Sequence, residues 1–357
     1  MLRVIIAVLA ALIISLLITP LTKKPALKLG ASDEPGGRKV HTKVMTRLGG
    51  LGIYCGFVVG FIIYGDFSRE MVGLLISASF ITAVGMVDDC RDISPKLKLV
   101  GQIAAALILI GFGVRLEYIT IPFSGVVVDC GFWGYPLTLL WLVGVCNAVN
   151  LIDGLDGLAG GISIIATLTI GVVAYNGGII AVTAICLYLA GAVAGFLKWN
   201  FHPATLFMGD CGSLLLGFLL ASLSLMSLAE GATVIALAVP ILILAVPILD
   251  TLFAIIRRLI NHKPVFQADK NHFHHRLMAR GLNHGETVLL IYGVTFLFGA
   301  VAVLITMLPA VYGIISGLIA VCLVLLGAVR LGLFRLTEED EDKPVPENPR
   351  EDIDSVD

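Results

Sequence analysis

The sequence predicts an all-α, polytopic integral membrane protein with about eleven transmembrane helices, its N-terminus outside and its C-terminus cytoplasmic. Three observations lead there. Hydrophobic residues make up 58 % of the 357 positions and charged residues 14 %, with a mean hydropathy of +0.97. Soluble domains average about 25 % charged residues, so this chain lacks the polar surface to hold its apolar mass in water. Apolar runs of membrane-spanning length recur along the chain, and alternate loops differ sharply in basic residues.

The runs fall near 2–20, 48–65, 71–88, 97–114, 133–149, 158–175, 178–197, 212–229, 232–256, 287–307 and 310–332. The first carries no small-residue cleavage pattern and is expected to be retained. Gly52, Gly56 and Gly60, and later Gly191 and Gly195, recur every fourth residue, the spacing that lets helix backbones approach closely in lipid. Loops after spans 1, 3, 5, 7 and 9, with their adjoining span ends, hold 17 Lys/Arg; the other loops hold only Arg69 and Arg115. The positive-inside rule places the first set in the cytoplasm. Residues 1–336, with 22 basic and 16 acidic side chains, form a single transmembrane domain. Residues 337–357 hold ten acidic and two basic ones and are expected to be a disordered cytoplasmic tail. Seven cysteines without paired spacing suggest neither a disulfide framework nor a zinc site, and no nucleic-acid polymer is expected as a partner.

The polar chemistry gathers on that one face, which points to a soluble substrate meeting something in the membrane. Val87-Asp88-Asp89-Cys90-Arg91-Asp92 closes span 3. In a helix Asp88 and Asp92, and Asp89 and Asp92, can share a face. Three acids there repel one another unless a cation or basic group intervenes, and Mg²⁺ favours such oxygen ligands; a solvated helix end is the plainer alternative. Lys96 and Lys98 beyond it either bind phosphate or mark the inside of span 4.

Asn147, Asn150, Asp153 and Asp156 then recur every third residue before Gly160-Gly161. That spacing predicts a helix end passing into a turn, with amides and carboxylates that are costly to bury without a ligand. An ordinary Asn/Asp/Gly turn explains the glycines. Asp210, in Phe207-Met-Gly-Asp, either caps the incoming helix or supplies a metal carboxylate. The loop 257–286 carries six Lys/Arg around His272-Phe-His274-His275-Arg276. HxHH without cysteines is not a standard zinc spacing, and imidazoles among arginines suit phosphates or sugar hydroxyls better. Arg38-Lys39-Val40-His41 in loop 1 needs, by itself, no more than the positive-inside rule. Together these groups suit Mg²⁺-dependent chemistry on an anionic, phosphorylated substrate. No P-loop or GxGxxG run is present.

At these residues the chain resembles the polyprenyl-phosphate hexose-1-phosphate transferases over about residues 1–335. The motifs VDDCRD, NAVNLIDGLDGLAGG, FMGDCGSLLLGF and HFHHRL stand in the expected order. RKVH and HxHH are similar to the undecaprenyl-phosphate N-acetylglucosamine-1-phosphate transferase branch, whereas TRLGG at 46–50 and HFHH depart from the phospho-muramoyl-pentapeptide branch. The resemblance implies transfer from UDP-GlcNAc to undecaprenyl phosphate with Mg²⁺, or Mn²⁺ in its place, at the cytoplasmic face of a bacterial inner membrane. It implies a catalytic set of Asp88, Asp89, Asp153 and Asp156, the last two serving the nucleotide. Asp210, Asn150, Asp88 and Asp89 would be metal contacts. Lys39, His41, Asp92, Lys98, Asn147, Asn150, His272, His274, His275 and Arg276 would bind substrate. A homodimer is compatible with it. Direct attack by the lipid phosphate and a covalent phospho-aspartate both stay open, with direct attack preferred. The competing class is a transporter or lipid flippase, for which Asp250 is the one suitably placed acid.

Overall fold

The computed structural model describes residues 1–33, 44–120, 127–227, 238–260 and 272–308, with isolated positions between 312 and 330. The helices in chain order are α1 (Leu2–Leu21), α2 (Lys23–Leu29), α3 (Gly50–Tyr64), α4 (Arg69–Arg91), α5 (Pro95–Gly111), α6 (Gly134–Ile152), α7 (Leu158–Asn176), α8 (Ile180–Asn200), α9 (Asp210–Met226), α10 (Ala238–Ile243), α11 (Ala245–Ile260), α12 (Phe273–Ala279) and α13 (His284–Met307). Helices overlie each expected span from the first through the tenth. The eleventh, 310–332, and the acidic tail lie largely or wholly outside the described residues. Among the described residues six helices, α1, α4, α6 with its preceding turn, α7, α8 and α13, are long and apolar enough to cross a membrane. The protein is an all-α, multi-pass membrane protein.

Two short antiparallel pairs qualify that class: β1 (Ser32–Asp33) with β2 (Met45–Thr46), and β3 (Tyr118–Thr120) with β4 (Val127–Asp129). Both lie in loops, where backbone groups left out of helices find partners across the chain. The ninth expected span is divided at Leu244 into α10 and α11. Pro247 has no N–H to offer the Ile243 carbonyl, which removes one rung of the helical ladder there.

Local signals set the helix ends that matter for the site. Asp92 leaves α4 in the left-handed region at φ 46°. Ser94 Oγ accepts the Leu97 N–H ahead of Pro95, a proline suited to the first helical turn. Asn283 and Glu286 form a reciprocal capping box that starts α13.

Helix α9 is the hub, buried along its length from Cys211 to Leu225 between α4 and α6. Helix α1 packs on α3 and α8. A Cβ at Gly56 would stand 2.5 Å from Ala11 O, and one at Gly195 2.4 Å from Leu12 O. The four-residue glycine spacing therefore does admit neighbouring backbones, as expected. The outward faces stay apolar, with Leu9, Ile13 and Leu17 on α1 and Leu289 and Phe296 on α13 exposed. Water-facing helices would carry polar residues there; a hydrocarbon surround does not require them.

Candidate active site

The acidic and amide motifs meet at one end of the bundle, where α4 and α6 finish and α5 and α9 begin. Lys98, in the first turn of α5, joins two of the acids: its ammonium lies 3.0 Å from Asp88 Oδ2 and also contacts Asp210 Oδ2. Asn150, near the end of α6, donates from Nδ2 to the other Asp210 oxygen and to Ser213 Oγ, both at 2.7 Å. Asp88 Oδ1 accepts the Ile93 N–H at 2.9 Å, which steadies it against its own helix end.

Asp89 is placed differently. Its two oxygens accept the backbone N–H groups of Asp210 at 2.8 Å and Cys211 at 2.9 Å, amides that the first turn of α9 leaves without intrahelical partners. The capping role open to Asp210 in the sequence thus falls to Asp89, reaching from α4. Asp210 turns its side chain to Lys98 and Asn150 instead. Gly209 makes this approach possible. Its φ is 72°, and a Cβ there would stand 1.7 Å from Arg47 O and 2.6 Å from Asp89 Oδ2. Loop 1 braces the same segment: Phe207 N–H donates to Thr46 O at 2.8 Å and Gly50 N–H to Met208 O at 2.8 Å.

The donor chemistry fits Mg²⁺. Among the described residues, Lys98 is the one ammonium that meets the Asp88 and Asp210 carboxylates, with Asp89 beside them, and such a buried excess of carboxylates is costly until a further cation offsets it. Asp88 and Asp210, with the amide oxygen of Asn150, are the groups that would hold the ion. They are the hard oxygen ligands that Mg²⁺ selects.

The second motif unwinds as the sequence predicts. α6 ends at Ile152, Asp153 caps it in a non-helical conformation, and Gly157 at φ 77° starts α7. Asn200 Oδ1 accepts the Gly157 N–H at 3.0 Å, and Tyr292 Oη donates to Gly157 O at 2.6 Å, so the turn is fixed from α8 and α13. Asp156 Oδ2 accepts the Ala204 N–H and meets His202 Nδ1, each at 3.0 Å. The Asp153 side chain has no hydrogen-bond partner among the described residues. Burial, followed by the charges of Asp210, Asp89 and Asp156, pushes its carboxyl up to about 7.

His272 precedes α12, and His274, His275 and Arg276 lie within it. His274 is 1 % exposed, and neither ring nitrogen has a partner among the described residues. Burial, then His275, His272 and His284, push this imidazole down to about 2, so it is neutral. A Cβ on Gly154 would lie 2.5 Å from His274 Nε2, so the histidine segment docks directly on the α6–α7 turn. Gly154→Ala should therefore displace α12 and lower turnover by about tenfold to a hundredfold, at a cost of only about 1–3 kcal/mol in stability. Steady-state kinetics beside thermal unfolding would separate the two effects. An unchanged rate would show that the contact does not matter.

Not every expected residue reaches this cluster. Asp92 turns outward to Arg47 Nη1 at 3.3 Å, with its side chain 89 % exposed, so the shared face with Asp88 and Asp89 ends at the helix terminus. Asn147 exchanges amide hydrogen bonds with Gln102 at 2.8 and 3.0 Å, a helix-to-helix link between α6 and α5. Lys39 and His41 lie outside the described residues. Sequence reasoning missed Ser213, though it follows Asp210 by three residues and so shares its helix face. It also missed Gln102, Arg47 as the bridge from Asp33 to Asp92, and His202 with His284, which no local pattern marks. Asp156, His202 and His284 bring ligand atoms within 4.8 Å of one another. The two imidazoles, however, are stacked at 4.1 Å and 23°. One ion cannot lie in both ring planes, so this trio is an Asp156–His202 hydrogen bond with His284 stacked on it rather than a chelate.

A family model described as glycosyl transferase family 4 matches residues 71–228, the stretch that supplies Asp88, Lys98, Asn150, Asp153 and Asp210. A relative from Bacillus subtilis (strain 168), a probable undecaprenyl-phosphate N-acetylglucosaminyl 1-phosphate transferase, is 44 % identical over 306 residues, 85 % of this chain and 86 % of the relative. The chain belongs to glycosyl transferase family 4. Other family 4 relatives include a decaprenyl-phosphate N-acetylglucosaminephosphotransferase from Mycolicibacterium smegmatis (strain ATCC 700084 / mc(2)155), 36 % identical over 314 residues, 80 % of this chain and 77 % of the relative. A phospho-N-acetylmuramoyl-pentapeptide-transferase from Listeria monocytogenes serotype 4b (strain CLIP80459) is 30 % identical over 323 residues, 84 % of this chain and 90 % of the relative. As a family 4 member the chain is an enzyme of the glycosyl-1-phosphate transferase class.

Proposed function

We propose that this family 4 enzyme transfers N-acetylglucosamine-1-phosphate from UDP-GlcNAc to undecaprenyl phosphate. The products are undecaprenyl-diphospho-GlcNAc and UMP, the first membrane step toward a cell-envelope glycan. The observation that carries this reading is Lys98 held between Asp88 and Asp210, with Asn150 on the second Asp210 oxygen. A cationic and oxygen-donor cluster at a helix-bundle end suits a diphosphate whose lipid acceptor lies in the bilayer. On the positive-inside reading of eleven spans with the N-terminus outside, this end would face the cytoplasm of a bacterial inner membrane, where nucleotide sugars are available.

In this mechanism an oxygen of the lipid phosphate attacks the β-phosphorus of the donor. A new P–O bond forms, and the bond from the β-phosphorus to the bridging oxygen breaks, its electron pair leaving with UMP. Mg²⁺, when bound, neutralises diphosphate charge. Lys98 holds a diphosphate oxygen as a point charge. Asp88, beside that ammonium, orients the lipid phosphate, which is already anionic near neutral pH and needs no strong base. Asp153 and Asp156 face the nucleotide, and the carboxyl of Asp153, pushed to about 7, both donates and accepts near neutrality. His272, His275 and Arg276 serve the sugar or its phosphates, and the buried His274 braces their segment against Gly154.

The purified protein in detergent, given undecaprenyl phosphate and UDP-GlcNAc, is expected to release UMP with Mg²⁺ and to stop completely in EDTA. Lipid-independent or EDTA-resistant release would contradict the reading. A second donor, UDP-MurNAc-pentapeptide, is suggested by the Listeria relative and opposed by TRLGG and HFHH in this chain. Turnover with that donor alone would keep the chemistry and change the substrate.

A further inference from the structure

The transferase reading gives no role to Asp250, the acid that alone suited a transporter. Asp250 sits on α11, 3 % exposed. Its Oδ2 meets His272 Nδ1 at 2.8 Å, and its Oδ1 accepts the Phe273 N–H at 2.8 Å. An isolated carboxylate at this depth is costly, and these two bonds offset that cost. The backbone bond satisfies the first amide of α12, where His272 is the capping residue but makes no side-chain cap of its own. The side-chain bond does something else. An ionised carboxylate only accepts, so His272 must carry its proton on Nδ1. Nε2, which has no partner among the described residues, is then the ring nitrogen left for a ligand. The His272 and His274 rings lie parallel within 5° at 5.9 Å, so fixing one plane constrains its neighbour. Phe253 of α11 packs on Phe273 with ring centroids 5.6 Å apart, securing the same corner.

We propose that Asp250 is a positioning residue of the transfer reaction, acting through His272 by setting its tautomer and ring plane toward the nucleotide-sugar. This rests on the transferase reading of the histidine segment. It also turns the one acid that favoured transport into part of that segment.

The structure separates this role from a capping role, because the bond to Phe273 survives loss of the imidazole. Three variants, Asp250→Asn, His272→Ala and the double variant, are compared in lipid-dependent UMP release. Asp250→Asn is expected to lower kcat/KM for UDP-GlcNAc by about a hundredfold, with KM for undecaprenyl phosphate unchanged. In the His272→Ala background, Asp250→Asn should cost nothing further. Asp250→Glu keeps the carboxylate one methylene away and should recover part of the loss; it also serves where Asp250→Asn fails to fold. Equal losses from Asp250→Asn in both backgrounds would reduce Asp250 to a helix cap and overturn the proposal. So would normal kinetics in His272→Ala. A wild-type protein that releases no UMP with any donor would instead overturn the transferase reading, and this proposal with it.

Discussion

Asp210→Asn is expected to lower lipid-dependent UMP release by about 10³-fold while leaving the protein folded in the membrane. Asp210 is the residue on which the other groups converge: Lys98 meets one oxygen and Asn150 the other. Asparagine preserves the shape and removes the charge, so Lys98 keeps only Asp88, and a metal ligand becomes a weak amide donor. The backbone amide of residue 210 still bonds Asp89, so α9 retains its cap, and thermal unfolding should move little. The assay is turnover beside unfolding temperature in the same detergent. Turnover within about tenfold of wild type would remove Asp210 from the reacting centre.

Lys98→Met is expected to lose activity by a similar factor, about 10³-fold, and to lose stability as well. Among the described residues, the ammonium is the one cation touching both Asp88 and Asp210. Removing it leaves two carboxylates facing each other in a half-buried site, where each raises the cost of ionising the other. The variant's unfolding temperature should therefore rise with added Mg²⁺ more than that of the wild type, because a divalent cation replaces the missing charge. Lys98→Arg should retain the stability and only part of the rate, since a planar guanidinium cannot occupy the point position of an ammonium. A Lys98→Met protein whose stability ignores Mg²⁺ would place the ion elsewhere.

The helix-end-to-turn reading of 147–156 held because Asn, Asp and Gly report backbone conformation locally. The glycine spacings held because a missing Cβ is a local fact whose use, close approach, follows from geometry. The roles of Asp88, Asp89 and Asp92 did not follow from their proximity in sequence. One bridges to α5, one caps α9, and one turns out to Arg47 at the helix end. Their partners lie as far off as residues 210 and 211. Nor could HFHH disclose that His272 is held by Asp250 while His274 is buried against Gly154, since both contacts join segments remote in the chain.

The sequence by itself determined the solvent this protein lives in, the placement of its long helices α1 and α3–α9, the motifs that carry its polar chemistry, and the family. All of these depend on composition, periodicity and short motifs, which are local properties. The tertiary structure alone decided which carboxylate shares Lys98, which one supports a helix end, and how the histidine segment reaches the α6–α7 turn. Those are pairings between charged and polar groups brought together from distant segments. Their energies depend on distance and burial, quantities that exist only after the helices have packed.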